Sequence, residues 1–367
     1  MTRIYFTVTN SLVYDQRMQR ICTSLANNGY AVTLIGRKLK SDPLPGKTAY
    51  RNILLTCFFS KTILFYAEYN IRLFFYLLTQ KMDIICAIDA DTLLPCLFYS
   101  QLKKVKRVYD AHEYFSEQKE IVIRKRVQWV WQCIEKWCIP QFKNGYTVNE
   151  LLQVAFQNKF GVNYTIIRNL PVQPADYPSN NTPLANTKVI LYQGAVNHGR
   201  CFETLIPAMK QVNAQLWIIG TGNFFDTAKQ LIEAHQLPQK VILTGALLPE
   251  KLKKITPGAY LGLTLFEANG LNQKHSLANR FFDYIMAGIP QICVNFPAYA
   301  AIQQKYPVTY MVDDTHEDTL AAAMNKLLND TVLYNQLQQQ CYIARKELNW
   351  QKEEIKLLLF WKNICIS

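Results

Sequence analysis

The sequence predicts an α/β protein built on two doubly wound parallel sheets. Its 367 residues are enough for two domains, and half of them are apolar. Short apolar strand patterns alternate with helical patterns, as is typical of a parallel sheet covered by helices. Residues 171–187 hold four of the fifteen prolines and separate this alternation into two halves. They are therefore predicted to be a linker.

The first half, residues 1–170, opens with a βαβ pattern. A β-rich segment at 3–10 precedes a helical pattern whose apolar face carries Met18, Ile21 and Leu25, and residues 30–36 form the next strand. Further strands are predicted at 83–89, 107–112 and 164–170, and a long amphipathic helix at 116–140. This half is predicted to be a Rossmann-like domain.

The second half, residues 188–348, repeats the alternation. Strands are predicted at 188–194, 215–222, 240–245, 260–266 and 291–296, with helices between them. This half is predicted to be a second Rossmann-like domain. A last helical pattern within 349–367 is apolar on one face, and we expect it to pack back across the domain junction.

The positive charge is concentrated in the first half. The chain carries a net charge of +13, of which residues 1–185 contribute +10 and residues 186–367 contribute +3. A basic domain favours an acidic partner such as a membrane surface or a lipid phosphate. Two basic clusters, at 103–107 and 124–126, predict reversible contact with an anionic membrane. No nucleic-acid-binding module is recognised, so nucleic acid is not expected as a partner.

The cysteines and the apolar runs predict a cytoplasmic protein. Ten cysteines are scattered through the chain without a Cys-x-x-Cys pair, and Cys133 and Cys138 have no histidine pair to complete a zinc site. Reduced thiols are therefore expected. Residues 1–10 lack the apolar core of a signal peptide. Charged residues interrupt the most apolar region, 53–79, before it reaches the length of a membrane span.

Residues 276–290, SLANRFFDYIMAGIP, carry the strongest chemical signal. The pattern predicts a loop and then a helix that begins near Asn279 and ends at Gly288. A helix start with Arg280 suits an anion, because both the unpaired amides and the dipole favour negative charge. Asp283 cannot bind phosphate but can accept hydrogen bonds from sugar hydroxyls. A predicted phosphate site next to a predicted sugar site indicates that the ligand is a nucleotide sugar.

Four motifs in the second half resemble, in order and spacing, the retaining GT-B glycosyltransferases of the large bacterial group-1 type. They are GAVNHGRCFETLIPAM, LWIIGTG, KVILTGALLPEKL and SLANRFFDYIMAGIP. In the first half, YDAHEYFSEQ and the DQR loop look like members that build surface polysaccharides. The resemblance implies two Rossmann-like domains with a cleft, and no cofactor or metal. It implies transfer of a sugar, with retention, from a nucleotide diphosphate sugar to a glycan or lipid-linked acceptor.

The resemblance also implies residue roles around the donor. Asp283 stands where the family has a glutamate that holds the ribose, and Arg200 where it has a basic residue that clamps the diphosphate. The family's second glutamate corresponds to His275 here, which puts the donor-sugar contact in question, and Glu267 is the alternative for it. Arg280 is expected to compensate for a second family arginine that this chain lacks.

Backbone groups complete the predicted donor site. The segment containing Ser276, Leu277 and Asn279 is expected to cradle the phosphates. Gly194 lies in the matching loop after the first strand of the second half. Gly220 follows a strand and opens a helix, and we favour a structural role for it over direct phosphate contact. Leu247 either lies in the loop that packs the base or belongs to an ordinary loop.

The first half offers His112, at the end of a predicted strand, as a residue that positions sugar or acceptor. The alternative is a histidine held by Asp110 or Glu113 for packing. Arg17, in the first loop, either contacts acceptor or phosphate or is solvated. Asp89-Ala90-Asp91 matches the Asp-x-Asp pattern of a metal-binding motif. We expect it instead to have a structural role or to lie on the acceptor side of the site.

Two other functions remain open from the sequence. One is a sugar-nucleotide epimerase on the same fold, for which His275 and Glu267 are the available acid–base groups. The other is a non-catalytic partner in a polysaccharide-assembly complex, suggested by the altered acidic pair. The resemblance favours a hexosyltransferase-like enzyme that needs no metal.

Overall fold

The computed structural model describes residues 1–39, 43–60, 62–175, 183–268 and 271–366. The chain divides into two compact units. The first comprises residues 1–169, the C-terminal residues from Glu353, and a short piece at 271–272, and the second comprises the rest of the described chain. Residues 176–182 of the predicted linker and Ser367 of the predicted terminal helix lie outside the described residues.

The first unit is built on a seven-stranded parallel sheet. Its strands are β1 (Arg3–Thr7), β2 (Ala31–Arg37), β3 (Arg51–Leu55), β4 (Ile84–Ile88), β5 (Lys106–Ala111), β6 (Asn144–Thr147) and β7 (Thr165–Ile166). They are ordered β3-β2-β1-β4-β5-β6-β7, and every neighbouring pair is parallel. β3 was not predicted, and its residues are only partly buried or exposed, unlike those of the central strands.

Helices connect most of these strands. They are α1 (Gln16–Asn27), α2 (Thr62–Leu78), α3 (Leu93–Lys103), α4 (Lys119–Val122), α5 (Lys125–Cys138) and α6 (Glu150–Phe160). The prediction for α1 is confirmed, since Met18, Ile21 and Leu25 are all fully buried. The Asp15 carboxylate accepts a hydrogen bond of 3.0 Å from the Met18 amide and so caps the helix.

The long helix predicted at 116–140 is wrong. The region instead contains α4 and α5, with Arg124 in a non-helical conformation between them. The amide and hydroxyl of Ser116 donate to the Glu135 carboxylate at 2.9 and 2.6 Å. In one straight helix, residues 19 apart would be separated by about 28 Å, at 1.5 Å per residue. The buried Glu135 contact therefore requires the chain to turn back.

The second unit is built on a six-stranded parallel sheet. Its strands are β8 (Val189–Gln193), β9 (Gln215–Ile219), β10 (Val241–Gly245), β11 (Leu261–Thr264), β12 (Gln291–Val294) and β13 (Thr309–Val312). Their order is β10-β9-β8-β11-β12-β13. The connecting helices are α7 (Phe202–Ala208), α8 (Phe225–Ala234), α9 (Pro249–Ile255), α10 (Leu271–His275), α11 (Asn279–Ala287), α12 (Pro297–Lys305), α13 (Glu317–Asn329) and α14 (Thr331–Ala344). The predicted class of two Rossmann-like, doubly wound parallel sheets is confirmed.

The last helix, α15 (Trp350–Ile366), packs its apolar face on the first unit. Leu357, Trp361 and Ile364 are buried at the helical spacing of four and three residues. The Trp361 ring meets the Phe6 ring edge-on, with 5.4 Å between centroids. The Lys106 ammonium donates to the Ile364 carbonyl at 2.8 Å. Residues far apart in sequence thus complete one core.

Two further observations concern the whole described chain. All ten cysteines lie within it and are free thiols, seven of them buried. Among its helices, none combines the length and the apolar character needed to cross a bilayer.

Replacing Trp361 tests how much α15 stabilises the first unit. Trp361→Ala should lower the free energy of unfolding by about 3–5 kcal/mol, because it leaves a large cavity in a closed core. Trp361→Phe should cost much less, because a ring still meets Phe6. It also removes the buried indole N–H, which has no hydrogen-bond partner among the described residues. Urea unfolding measures both, and equal losses would contradict this packing.

Candidate functional site

The second sheet reverses its winding between β8 and β11. β9 and β10 extend it on one side, whereas β12 and β13 extend it on the other. Helices that follow the two central strands leave on opposite sides, so a crevice opens between the loops at the carboxyl ends of these strands. Open α/β sheets bind their ligands there. Gly194 and Arg200 lie in the connection after β8, and Glu267 follows β11.

Two glycines allow the loops after β8 and β9 to touch. Gly220 has a φ of +156°, and a Cβ on it would lie 1.8 Å from the Gly194 carbonyl oxygen. Gly194 has a φ of +127°, and its own Cβ would approach Nη1 of Arg280 to 3.3 Å. The favoured structural role of Gly220 is therefore observed. Contact of either glycine with phosphate stays a prediction.

Arg280 places a buried positive charge at this crevice. Its side chain is 7% exposed, and its guanidinium donates to the Leu265 carbonyl and the Tyr192 hydroxyl, each at 3.2 Å. Its Nε has no hydrogen-bond partner in the part of the chain that the structure describes. Among the described residues no carboxylate forms an ion pair with it. A buried charge without a counter-ion is costly, so this arrangement suits an anionic ligand.

Arg200 shares an aromatic ring with Arg280. The guanidinium carbons of the two residues lie 4.2 and 4.6 Å from the centroid of the Phe266 ring. The ring face attracts both cations and so helps to hold two like charges near each other. The Glu267 amide donates to the Gly199 carbonyl at 3.1 Å and joins the loop after β11 to the one carrying Arg200.

Asp283 is fixed by the end of β8. Its helix, α11, runs from Asn279 to Ala287 and ends at Gly288 with a φ of +74°, as predicted. Gln193 Nε2 donates to the Asp283 carboxylate at 3.0 Å, and Thr256 donates to Gln193 Oε1 at 2.8 Å. This chain of contacts turns the half-buried carboxylate towards the strand end that leads into the crevice.

The segment that enters α11 holds Ser276, Leu277 and Asn279. One backbone amide within it, that of Ala278, donates to the Tyr299 hydroxyl at 3.0 Å. His275 ends the short helix α10, and burial lowers its pKa below the usual range, with the Lys274 charge adding to the effect.

Leu247 is placed differently from the other donor-site predictions. It packs against an apolar cluster that contains Leu191, Ile219 and Tyr284. The structure thus brings together Gly194, Gly220, Arg200, Arg280, Glu267 and Asp283 through the contacts described above. Leu247 is part of the packing at the end of β10.

Gln193 and Phe266 were missed by the sequence analysis. The sequence could have identified Gln193, because it is the polar residue that ends an apolar strand directly before a glycine. It could not have identified Phe266, since a phenylalanine after an apolar strand predicts only packing. Its role in holding two arginines depends on loops that meet in space.

His112 lies in the first unit within a buried charge network. Its Nε2 lies 2.9 Å from an Asp110 oxygen and 2.8 Å from Nε of Arg17, and its Nδ1 lies 3.6 Å from an Asp89 oxygen. Burial lowers the pKa of His112, but Asp110 and Asp89 raise it more, to about 9. Asp110 is the partner named by the packing alternative, and contact with sugar stays a prediction.

The solvated alternative for Arg17 is wrong. Arg17 belongs to α1, is 3% exposed, and forms an ion pair of 2.8 Å with the fully buried Asp110. It also donates to the Ile167 carbonyl at 3.0 Å. The sequence could not show this, because Asp110 is 93 residues away in the chain.

The Asp89-Ala90-Asp91 segment follows β4 at the carboxyl edge of the first sheet. Burial raises the pKa of Asp89 to about 7 and that of Asp91 to about 6. Asp89 accepts a hydrogen bond of 3.0 Å from the His112 amide, and Asp91 accepts one from the Thr9 hydroxyl. Within the described ranges, no group of three or more His, Cys, Asp or Glu side chains is arranged to hold a metal ion.

Comparison with known proteins agrees with this geometry. Residues 176–346 match the family model described as Glycosyl transferases group 1. The comparison with curated protein sequences finds no match.

Solved structures share the fold over almost the whole chain. Sucrose-phosphate synthase from Thermosynechococcus elongatus has a TM-score of 0.80 at 16% identity, with 100% of both chains covered. HepE from Anabaena, in complex with UDP-glucose, has a TM-score of 0.76 at 13% identity, covering 99% of this chain and 100% of that chain. A mutant of TarM from S. aureus, with Fondaparinux, alpha-GlcNAc-glycerol and UDP, has a TM-score of 0.72 at 12% identity, with 100% of both chains covered.

These findings define a protein with the GT-B fold. The part of the chain that matches the group 1 glycosyltransferase family model, residues 176–346, contains the crevice residues described above. The family resemblance seen in the sequence is supported at this level.

Substituting Gly220 tests the contact between the two loops. Gly220→Ala should destabilise the protein by more than about 1 kcal/mol, because its Cβ meets the Gly194 carbonyl and its φ is positive. Gly46→Ala is the matched control, since its Cβ meets no atom within 4 Å and its φ is not positive. Thermal unfolding of both variants is the measurement, and equal melting temperatures would disprove the contact.

Asp91 should make stability depend on pH. Its folded pKa of about 6 exceeds the unfolded value of about 3.9, so the folded state binds more protons between these values. Stability should therefore fall as pH rises through this window, by roughly 3 kcal/mol from this residue alone. Asp91→Asn, whose amide oxygen still accepts from Thr9, should remove this loss and be more stable than the native protein at pH 8.

Asp226→Asn, which removes an exposed carboxylate on α8, is the control for this experiment. Melting temperatures are measured from pH 4.5 to pH 8. If both variants follow the pH profile of the native protein, burial of Asp91 does not shift its titration.

Proposed function

We propose that this protein is a glycosyltransferase that moves a sugar, with a hexose as the first candidate, from a nucleotide diphosphate sugar to a glycan or lipid-linked acceptor. The observation that carries the proposal is the buried Arg280, which has no carboxylate partner among the described residues and shares Phe266 with Arg200. Two phosphates are the natural counter-ions for two guanidinium groups.

The donor is a nucleotide diphosphate sugar whose leaving group is held by these charges. Arg200, Arg280 and the N-terminus of α11 bind the diphosphate, and Asp283 accepts hydrogen bonds from the ribose hydroxyls. The absence of a side chain at Gly194 lets the backbone of this loop approach the phosphates. UDP is the first nucleotide to test, because HepE was solved with UDP-glucose and TarM with UDP.

The chemistry follows from where charge develops. As the bond to the sugar breaks, negative charge grows on the departing diphosphate, and fixed arginines and helix amides stabilise it without reorganisation. This mode of catalysis requires neither a metal ion nor a protein nucleophile. We further propose retention of configuration, by attack of the acceptor on the face from which the nucleotide leaves.

The acceptor is proposed to bind the first unit, in the cytoplasm at the inner face of the plasma membrane, during synthesis of a cell-surface polysaccharide. The first half carries most of the net positive charge. On α5, the basic residues Lys125, Arg126 and Lys136 are exposed together with Trp129 and Trp137. Basic and aromatic side chains on one helix suit reversible contact with an anionic bilayer.

Arginine and aspartate variants test the donor site. Arg280→Met and Asp283→Ala should each weaken UDP binding by about 10- to 100-fold, since each removes charged hydrogen bonds of about 1.5–3 kcal/mol. Lys326→Met, which removes an exposed cation on α13, should bind UDP as the native protein does. Calorimetric titration with UDP, GDP, ADP and CMP is the measurement. Unchanged affinity in both site variants would refute the placement.

The reaction itself is tested by product analysis. Incubation with UDP-glucose and a glycan or lipid-linked acceptor should release UDP together with a glycosylated acceptor. Donor alone should yield no epimerised nucleotide sugar. An epimer formed without acceptor would overturn the transferase in favour of an epimerase.

A further inference from the structure

The first unit contains a cavity that none of the roles above uses. Its volume is about 670 Å³, and small-molecule sites span roughly 300–1,000 Å³. It is lined by α2, by α5 and by the loop that follows β4. The lining residues that the structure describes all belong to the first unit.

The walls of this cavity are mainly hydrocarbon. α2 provides Ile63, Phe65, Tyr66 and Ala67, and α5 provides Val127, Val130, Trp131 and Ile134. The Trp131 ring meets the Tyr66 ring edge-on, with 5.2 Å between centroids, and so fixes the two walls against each other. Walls of this kind favour an apolar guest, because hydrocarbon leaves water when it enters.

Two arginines give the cavity a positive side. Arg37, at the end of β2, donates to the Ser60 carbonyl at 2.9 Å and lies 4.0 Å above the Phe65 ring. Arg124 precedes α5 and is exposed. No described carboxylate forms an ion pair with either arginine. Asp91 is the only acidic residue among the described lining residues, and the Thr9 hydroxyl already donates to it.

The pKa of Tyr66 indicates that the charges of Arg37 and Arg124 act at the same part of the cavity wall. Burial raises the pKa of its phenol to about 12, Asp91 adds to the rise, and Arg37 and Arg124 both oppose it. Two guanidinium groups from different elements therefore act on one phenol in the cavity wall. A guest with an anionic group attached to an apolar body matches this combination.

Apolar residues continue from the cavity to the surface. Ile63 lines the cavity and is 61% exposed, and Leu64 beside it is 52% exposed. Ile123, next to Arg124, is 71% exposed. Exposed apolar groups beside unpaired arginines suit a hydrocarbon chain that runs from the cavity into a lipid phase, with its phosphate at the arginines.

We propose that this cavity binds a lipid phosphate, with part of its acyl or isoprenoid chain between α2 and α5 and its phosphate on Arg37 and Arg124. The proposal rests on the proposed function and makes it more specific, because it assigns the acceptor to the lipid-linked class.

Decyl phosphate, used below its micelle concentration, is the probe. Calorimetric titration of the full chain should show one bound molecule per chain, whereas inorganic phosphate and decyl maltoside should bind much more weakly. Arg37→Gln and Arg124→Gln should each weaken decyl phosphate binding about tenfold or more, since each removes a charged hydrogen-bond donor. Arg51→Gln, an exposed arginine on β3 outside the cavity, is the matched control and should bind normally.

Ala67→Trp tests the apolar walls without changing charge. Ala67 is exposed at the cavity, so a larger side chain there can cover it without entering the core. This variant should also weaken decyl phosphate binding about tenfold. Equal weakening by Arg51→Gln, no weakening by Ala67→Trp, or inorganic phosphate binding as tightly as decyl phosphate would overturn the proposal.

UDP binding separates this proposal from the proposed function. Arg37→Gln, Arg124→Gln and Ala67→Trp should all bind UDP as the native protein does. If the native protein binds decyl phosphate but no nucleotide, the donor site fails while the cavity stands. If it binds UDP but not decyl phosphate, the cavity proposal fails and the transferase stands.

Discussion

Parallel strands end at the same edge of their sheet, and this constraint brings the functional groups of each unit together. In the second unit the winding reverses between β8 and β11, so that the loops after these strands meet. Gly194 and Arg200 come from the connection after β8, whereas Glu267 and Arg280 come from the connection after β11, with Arg280 at the start of α11. Because the strands end at a common edge, residues that are far apart in the sequence become neighbours in space.

The two units use their strand ends in different ways. In the second unit the buried charge is one-sided, because Arg280 has no carboxylate partner among the described residues. In the first unit the buried groups at the ends of β4 and β5 are paired with opposite partners, since Arg17 and His112 meet Asp110 and Asp89. A balanced network is stable without a ligand, whereas a one-sided charge gains from an anion. This difference supports placing the diphosphate on the second unit.

Much of the fold could be predicted because local patterns agree with it. The alternation of apolar strands and helices predicted both sheets, and the end of α11 at Gly288 followed from a glycine signal. The prediction failed where contacts between distant residues decide the path. The Glu135 contact with Ser116 divides the predicted long helix, and β3 becomes a strand only through pairing with β2. Neither contact can be predicted from the periodicity of apolar residues in the sequence.

The sequence by itself determined the chemistry that is available: a carboxylate at 283, arginines at 200 and 280, and glycines after strands. The positions of these residues relative to the ends of strands and helices could be predicted from local spacing. Only the tertiary structure decided the surroundings that give these groups their properties. Phe266 joins two arginines, Gln193 orients Asp283, and burial shifts the pKa of Asp91. Such effects depend on distance and solvent exclusion, and both arise only when separate strands and loops pack together.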